Sequence, residues 1–373
     1  MPNAIGIIYA NSSTDNLQGL ALRRPIAAIP FGGRYRILDF ALSSMVNSGI
    51  RTIGVVTSQP YRTILDHLGA GKAWFLDRKD GGLFILPGVM HSLAGDGHTF
   101  CVKDLRENLH YLQKDFADNV IISHGDQIYN MDFKDALNAH NDTNAEVTLI
   151  YKECHTLGDP IHERVIKMNE GEKVSGILDK KVSDSGTLVQ PHFTNMLIIR
   201  RQLLVDIVEQ YGSFGCRDLV DIVASNLEVL RVYGWPTCSV IGTIRTVKDY
   251  FDRSMDLLGW EVREKLWLGE NQIHTIIVDN PPTRYTSQAK VSHSLIASGC
   301  YIAGEVVNSI IFRGVIVEQG CKIEDSIILP KCHIHALAKT CYAILDKSVS
   351  VNAENVFRGS LNHPLVVLNT AVS

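Results

Sequence analysis

A six-residue spacing of aliphatic side chains in the last quarter of the chain sets the tightest limit on its fold. In a hexapeptide β-helix, each short strand is one side of a triangular coil, and inward aliphatic residues stack between coils. Several such registers repeat together here, which favours a parallel β-helix over an ordinary β-rich domain with chance spacing. The spaced sets are Ile296 and Ile302; Val315, Cys321 and Ile327; Val317, Ile323 and Leu329; and Ile328 and Ile334.

The first two thirds of the chain alternate strand-like and helix-like segments, a pattern that predicts a mostly parallel sheet with helices on both faces. Ligands of such sheets bind at the carboxyl ends of the strands, where residues 9–14 and Asp126 would fall. Gly49 suits the left-handed position that ends a helix. The predicted strands span 4–9, 52–57 and 119–123, and the predicted helices span 37–48 and 105–116.

A pair of prolines marks the boundary between the strand–helix alternation and the six-residue repeat. Pro281 and Pro282 lack backbone donors, so neither fits inside a helix or a central strand. We therefore expect an α/β domain over 1–250, a connecting segment over 251–284 and a β-helix domain over 285–373.

Composition excludes several classes of function. A chain of 373 residues with a net charge of −4 gives no reason to expect nucleic-acid binding. Eight cysteines without a Cys-x-x-Cys pair argue against zinc or dithiol chemistry, and buried reduced thiols of a cytosolic protein are expected instead. We expect no metal. No signal-peptide pattern opens the chain, and no apolar stretch approaches the ~20 residues that span a membrane, so a cytoplasmic protein is expected.

Several motifs resemble those of the ADP-glucose pyrophosphorylases, and the resemblance covers essentially the whole chain. Residues 31–43, which read FGGRYRILDFALS, form the longest and most specific of them. The resemblance implies a Rossmann-like nucleotidyltransferase domain followed by a left-handed parallel β-helix. It also implies a reaction that joins ATP and glucose 1-phosphate into ADP-glucose and pyrophosphate. The other motifs are Asn47-Ser48-Gly49-Ile50, Gly125-Asp126-x-Ile128-Tyr129, Ile241-Gly242-Thr243, Pro282-x-Arg284-Tyr285 and Gly299-Cys300-x-Ile302-x-Gly304.

The nucleotide loop of the family is missing. Family enzymes carry Gly-Gly-x-Gly-x-Arg-Leu near the N-terminus, because glycine lets backbone N–H groups approach the triphosphate. In this chain the glycine positions hold Asn11, Ser12 and Thr14, and the arginine position holds Asn16. The glycine loop that approaches the triphosphate in family enzymes is therefore absent from this chain.

Two further catalytic positions are changed. Ile26 replaces the family's lysine and cannot stabilise phosphate charge, and Val240 replaces the second of the two metal-binding aspartates. Asp126 matches the first aspartate, either as a working Mg²⁺ ligand or as a relic. Lys180 partly matches the family's Glu-Lys-Pro, and either meets a phosphate or is an ordinary exposed lysine. We expect no catalytic residues, only these two retained remnants.

These replacements concentrate at positions that family enzymes use for catalysis, while the hydrophobic pattern of the core is intact. The resemblance therefore implies a regulatory, non-catalytic subunit that pairs with the catalytic ADP-glucose pyrophosphorylase subunit in a heterotetramer of glycogen biosynthesis. No cofactor is expected. The alternative is an active glucose-1-phosphate adenylyltransferase with a divergent nucleotide loop, and that alternative requires Mg²⁺.

Two other sites are suggested. Arg23 and Arg24 match the basic pair that family members use near their effector site, and Arg36 is close in sequence; a sugar phosphate or another anion suits their planar donors. The alternative is a solvated basic surface. The β-helix also admits a hexapeptide acyltransferase, a class that uses a catalytic histidine between coils of a trimer. His333 and His335 are candidates for that histidine, but the family resemblance explains the coils without them.

Overall fold

The structure is a computed structural model and describes most of the chain. No helix among the described residues is both long and apolar enough to cross a bilayer. Thr14 and Lys180 lie outside the described residues. The described ranges are 3–12, 15–58, 60–88, 100–114, 116–154, 164–179, 189–213, 215–269 and 271–369.

A mixed nine-stranded sheet with flanking helices forms the first domain, as the strand–helix alternation predicts. Strands β1–β13 are Ala4–Tyr9, Pro30–Phe31, Tyr35–Arg36, Thr52–Thr57, Gly82–Pro87, Asn119–His124, Gln127–Tyr129, Val147–Cys154, Arg164–Met168, Val174–Asp179, Gln190–Arg200, Val232–Pro236 and Ile241–Thr243. Helices α1–α9 are Ile37–Asn47, Arg62–Leu68, Val102–Glu107, Leu109–Lys114, Lys134–Asp142, Arg201–Tyr211, Leu219–Ala224, Val247–Met255 and Trp260–Arg263.

The sheet order is β10-β9-β11-β6-β1-β4-β5, with β8 pairing both β11 and β12. Strand β1 pairs in parallel with β4 and β6, and all six of its residues are buried, because helices cover both faces of the sheet. The long strand β11 pairs antiparallel with β6, β8 and β9. Helix α1 ends before Gly49, which has φ 88°, so the predicted stop is confirmed.

Two predicted boundaries differ from the structure. The helix predicted over 105–116 is two helices, α3 and α4, broken at Asn108. The Asn108 side chain donates to the carbonyls of Pro87 and Asp104, each at 2.7 Å, and so competes with a continuous helix. The domain boundary at residue 250 falls inside α8, which Thr246 caps and which continues to Met255.

One prediction about the cysteines is wrong. The structure pairs Cys101 with Cys216 as a disulfide, with 5.5 Å between the Cα atoms. The two residues are 115 positions apart, so local spacing gives no sign of the pair. Cys300, Cys321 and Cys332 are free and buried, as expected, and burial raises the pKa of the Cys332 thiol to about 12.

The C-terminal domain is the predicted left-handed β-helix, built of three parallel five-stranded sheets. Strands β14–β28 are Arg284–Tyr285, Lys290–Ser292, Leu295–Ile296, Tyr301–Ile302, Glu305–Val307, Ile310–Ile311, Ile316–Val317, Lys322–Glu324, Ile327–Ile328, His333–Ile334, Lys339–Cys341, Ala343–Leu345, Ser350–Val351, Val356–Arg358 and Leu365–Val367. Inward residues such as Ile302, Val317 and Ile334 stack in register and are fully buried.

Most coils are shorter than three hexapeptides, whereas the last is longer, because Ile344 pairs with Val366, 22 residues further along the chain. Ile316 pairs with His333, and His333 with Ser350, so one coil takes 17 residues there. The chain shortens the coil by turning corners with single residues of positive φ, a conformation that glycine, asparagine and aspartate accept most readily. These corner residues form three columns: His293, Asn308, Asp325 and Tyr342; Gly299, Gly314, Lys331 and Ser348; and Gly320, Leu337 and Glu354.

A buried apolar cluster joins the two domains. Arg24 of the first domain forms an ion pair with Asp346 of the β-helix across this junction. Gly19 packs so closely on Leu368 that a Cβ atom at Gly19 would overlap that leucine. Members of the cluster from both domains include Leu17, Ile26, Phe31, Phe40, Ile310, Phe312, Ile327, Leu329 and Ile344.

Candidate functional site

The site lies at the carboxyl ends of β1 and β6, as the sheet pattern predicts. Tyr9 pairs with His124, and the Gly125 N–H donates to the Tyr9 carbonyl at 2.7 Å. The chain after β1 therefore runs directly beside the residues after β6. Asp126 and the start of the altered nucleotide loop are brought together.

Side chains of that loop are hydrogen-bonded to carboxylates of the domain. Asn11 is 5% exposed, and its Nδ2 donates to Asp104 Oδ2 at 2.7 Å. The Ser12 hydroxyl donates to Asp126 Oδ2 at 3.0 Å and lies 3.4 Å from His124 Nδ1. Side chains thus lie at positions where the family's glycines leave room for the triphosphate.

Aromatic packing fills the region beside this loop. The Phe100 ring is fully buried, 4.7 Å from the His124 ring and 5.3 Å from the Tyr9 ring, measured between centroids. The Tyr9 hydroxyl donates to the Cys101 carbonyl at 3.1 Å. Burial raises the pKa of Tyr9, and the charges of Asp104 and Asp218 raise it further. Sequence reasoning missed this packing.

Two further altered positions, Ile26 and Asn16, lie among the described residues. Ile26 is 2% exposed and belongs to the apolar cluster between the domains, so it packs as a core residue. Asn16 is exposed in the 3-10 segment Asp15–Ala21. Neither side chain supplies a cation in the place of the family's lysine and arginine.

The structure does not bring the Val240 position beside Asp126. Strand β13 runs antiparallel to β7, so that Ile241 pairs with Tyr129, whereas the Ile244 N–H donates to the Asp126 carbonyl at 2.9 Å. At about 3.3 Å per residue, Val240 lies roughly 13 Å along the ladder from Asp126. The replacement at Val240 therefore does not alter the immediate surroundings of the Asp126 carboxylate.

The surroundings of Asp126 do not fit Mg²⁺. This ion demands near-octahedral oxygen ligands and is usually held by carboxylates and substrate phosphates. Here a serine hydroxyl donates to one carboxylate oxygen, and His124 Nδ1 lies 3.7 Å from the other. No step through a metal is derived from this site.

A buried guanidinium gathers three carboxylates from the end of β10 and the start of α7. Arg164 donates to Asp218 at 3.2 Å, to Asp221 at 2.8 Å and to Asp179 at 3.2 Å. Burial lowers the pKa of Arg164, but these carboxylates outweigh burial and the net shift is upward. Asp179, which stands at the family's glutamate position, is thus held in an ion pair.

Two of the three predicted effector arginines lie together at the domain junction. Arg24 pairs with Asp346, and Arg36 donates to the Thr63 carbonyl at 2.7 Å. Burial lowers the pKa of Lys347, and the nearby charges of Lys331, Arg36 and Arg24 lower it further. Lys331 and Lys347 of the β-helix therefore lie near Arg24 and Arg36. The sequence pattern did not point to these two lysines. Arg23 is exposed one position before Arg24.

A cavity of about 1110 Å³ also opens between the domains. Its walls come from the Phe-Gly-Gly motif, the end of α2, residues 272–278 and the first coils of the β-helix. Arg34 and Arg313 line it, and Arg313 donates to the Arg34 carbonyl at 2.9 Å. No sequence pattern pointed to this cavity.

Comparisons with known proteins agree with both domains. Residues 5–181 match the nucleotidyl transferase family, and residues 281–358 match the GlmU-like C-terminal hexapeptide family. The glycogen biosynthesis protein GlgD of Geobacillus stearothermophilus is 31% identical over 86% of this chain and 82% of its own length. GlgD of Bacillus subtilis is 28% identical over 97% of this chain and 95% of its own length.

A catalytic relative is nearly as similar. The glucose-1-phosphate adenylyltransferase of Bacillus thuringiensis (strain Al Hakam) is 30% identical over 98% of this chain and 97% of its own length. The similarity thus spans both domains and the junction between them. The chain belongs to the family of glycogen biosynthesis protein GlgD and glucose-1-phosphate adenylyltransferase.

Proposed function

We propose that the protein is a regulatory, non-catalytic subunit of ADP-glucose pyrophosphorylase in glycogen biosynthesis. It pairs with a catalytic, GlgC-like subunit in a heterotetramer and modulates it. The observation that carries the proposal is the loop after β1, where Asn11 is hydrogen-bonded to Asp104 and Ser12 to Asp126. These contacts engage the groups that the family reaction needs for the triphosphate.

Nucleotidyl transfer depends on donors and charges that are already in position for the phosphates. In this chain Asn11 is buried against a carboxylate, and the Asp126 carboxylate accepts a hydrogen bond from the Ser12 hydroxyl. Ile26 lies in the apolar cluster at the position of the family's lysine. Intact packing around an altered loop supports a role in assembly rather than in chemistry.

The alternative function is an active glucose-1-phosphate adenylyltransferase that binds Mg²⁺. Retention of Asp126 and full-length similarity to enzymes of that name favour it. For the alternative to hold, substrate binding would have to break the Asn11–Asp104 and Ser12–Asp126 hydrogen bonds. The buried Asn11 side chain would also have to leave its place.

Co-purification tests the proposal directly. We expect the untagged chain to be retained by a tagged catalytic subunit from the same cell and to elute with it at the mass of a tetramer. Adding the chain to the catalytic subunit should change the maximal rate of ADP-glucose formation or its response to effectors. A catalytic subunit that elutes alone, with kinetics unchanged by the added chain, would contradict the proposal.

The Arg23, Arg24 and Arg36 region is the proposed effector site. We expect an Arg23→Ala/Arg24→Ala variant to need about tenfold more sugar phosphate or inorganic phosphate for a half-maximal response of the mixed complex, because a charge-assisted contact contributes ~1.5 kcal/mol or more. The measurement is the rate of the mixed complex against effector concentration. The exposed Arg358 offers a matched control, since Arg358→Ala removes a guanidinium elsewhere on the β-helix. Superimposable response curves for all three proteins would refute the assignment.

A further inference from the structure

We propose that Glu318, His333 and His335 form a zinc-binding site on the outer face of the β-helix. One ligand atom from each residue lies within 4.8 Å of the others. Neither the catalytic-site residues nor the effector arginines take part in this cluster. The zinc site can therefore be tested independently of the proposed function.

The register of the coils brings the three side chains together. Strands β20 and β23 pair in parallel, with Ile316 beside His333 and the buried Val317 beside Ile334. Since side chains alternate along a strand, His333 and His335 point outward on either side of Ile334. Glu318, which follows Val317, points outward next to His335. Three potential ligands thus share one exposed face of two adjacent coils.

The ligand atoms converge on one carboxylate oxygen. His333 Nε2 lies 2.7 Å and His335 Nδ1 lies 3.3 Å from Glu318 Oε1, and the two imidazole rings stack with 3.9 Å between centroids. Tetrahedral zinc with bonds of about 2.0–2.2 Å separates its ligand atoms by roughly 3.4 Å. Small side-chain rotations therefore suffice to admit the ion.

Neighbouring groups hold the ligands in orientation. The Ala336 N–H donates to Glu318 Oε2 at 2.9 Å, which leaves Oε1 for the ion. His335 Nε2 lies 3.0 Å from the Ser350 hydroxyl on the next coil. When His335 donates its Nε2 proton to Ser350, the lone pair of Nδ1 faces the centre of the cluster. Partners of this kind fix the tautomer and raise the basicity of a metal-bound histidine.

The donor set selects the metal and its coordination. Two imidazoles and one carboxylate suit zinc, whereas Mg²⁺ and Ca²⁺ prefer sites built of oxygen ligands. Each side chain is about one third exposed, so the ion can reach the site from solvent. Three protein ligands leave the fourth tetrahedral position open to water or to a donor group of another molecule.

Calorimetric titration of the tag-free full-length chain with zinc chloride at pH 7.5 tests the site. We expect one saturable site per chain, no comparable heat with Mg²⁺, and weaker zinc binding at pH 5, where protons compete for the imidazoles. His335→Ala and His333→Ala should each abolish the site. Ser350→Ala should weaken binding about tenfold, as loss of an orienting partner does.

His293→Ala is the matched control, since His293 is an exposed histidine of the same domain outside the cluster. It should bind zinc like the unchanged protein. Saturating zinc should also raise the melting temperature of the unchanged protein and of His293→Ala, and leave that of Glu318→Gln/His335→Ala unmoved. Absence of a saturable site at pH 7.5, or zinc binding by the His333→Ala and His335→Ala variants that equals that of the unchanged protein, would overturn the proposal.

Discussion

Assayed alone with ATP, glucose 1-phosphate and Mg²⁺, the chain is expected to form ADP-glucose about ten-thousandfold more slowly than a catalytic family enzyme. Each missing charge-stabilising group costs roughly 3 kcal/mol. The altered loop and the replacement of the lysine by Ile26 together amount to about 6 kcal/mol, and each tenfold change in rate corresponds to ~1.4 kcal/mol. Such losses are not strictly additive, but half of the sum still leaves little turnover.

The measurement is pyrophosphate release, run beside a catalytic relative at equal protein concentration. Asp126→Asn is the control for contaminating host enzyme, because any rate that persists in this variant does not depend on the retained carboxylate. A rate within about a hundredfold of the relative that Asp126→Asn abolishes would show that the chain is an enzyme. The alternative function would then replace the proposed one.

Replacing Arg164 by leucine is expected to lower the free energy of unfolding by about 3–5 kcal/mol, because the variant leaves Asp218 charged and buried without its guanidinium. Asp218 is 1% exposed and also accepts hydrogen bonds from the N–H groups of Val220 and Phe100. Loss of the ion pair therefore disturbs the carboxylate that holds both the start of α7 and the segment before α3. Urea unfolding of the two proteins measures the difference.

Two comparisons make this result specific. Arg62→Leu breaks an ion pair with Asp66 whose side chains are 90% and 68% exposed, and it should cost at most ~0.5 kcal/mol. Arg164→Leu/Asp218→Asn should recover part of the loss, because it removes both charges. If Arg164→Leu costs no more than Arg62→Leu, the buried pair does not stabilise the domain.

The fold followed from the sequence because its signals are local and periodic. Buried apolar runs gave β1 and β4 with their observed bounds, and the six-residue spacing gave the β-helix. The errors arose where side chains override local preference. Asn108, for example, breaks a predicted helix with its own side-chain amide.

The candidate site could be predicted only in part. The strand–helix alternation predicted that residues 9–14 and Asp126 lie at one edge of the sheet, and Ser12 donates to Asp126 there. The contacts that these residues make depend on partners far along the chain, such as Asp104, at a separation of 93 residues. The convergence of Arg164 with three carboxylates depends on tertiary structure in the same way, so no spacing rule reveals it.

The contact between Gly19 and Leu368 has a consequence for how the protein is made. Translation delivers the segment around Gly19 long before Leu368. Asp346, the partner of Arg24, also emerges long after that arginine. The segment that follows β1 therefore reaches its final packing only after the ribosome has synthesised the β-helix.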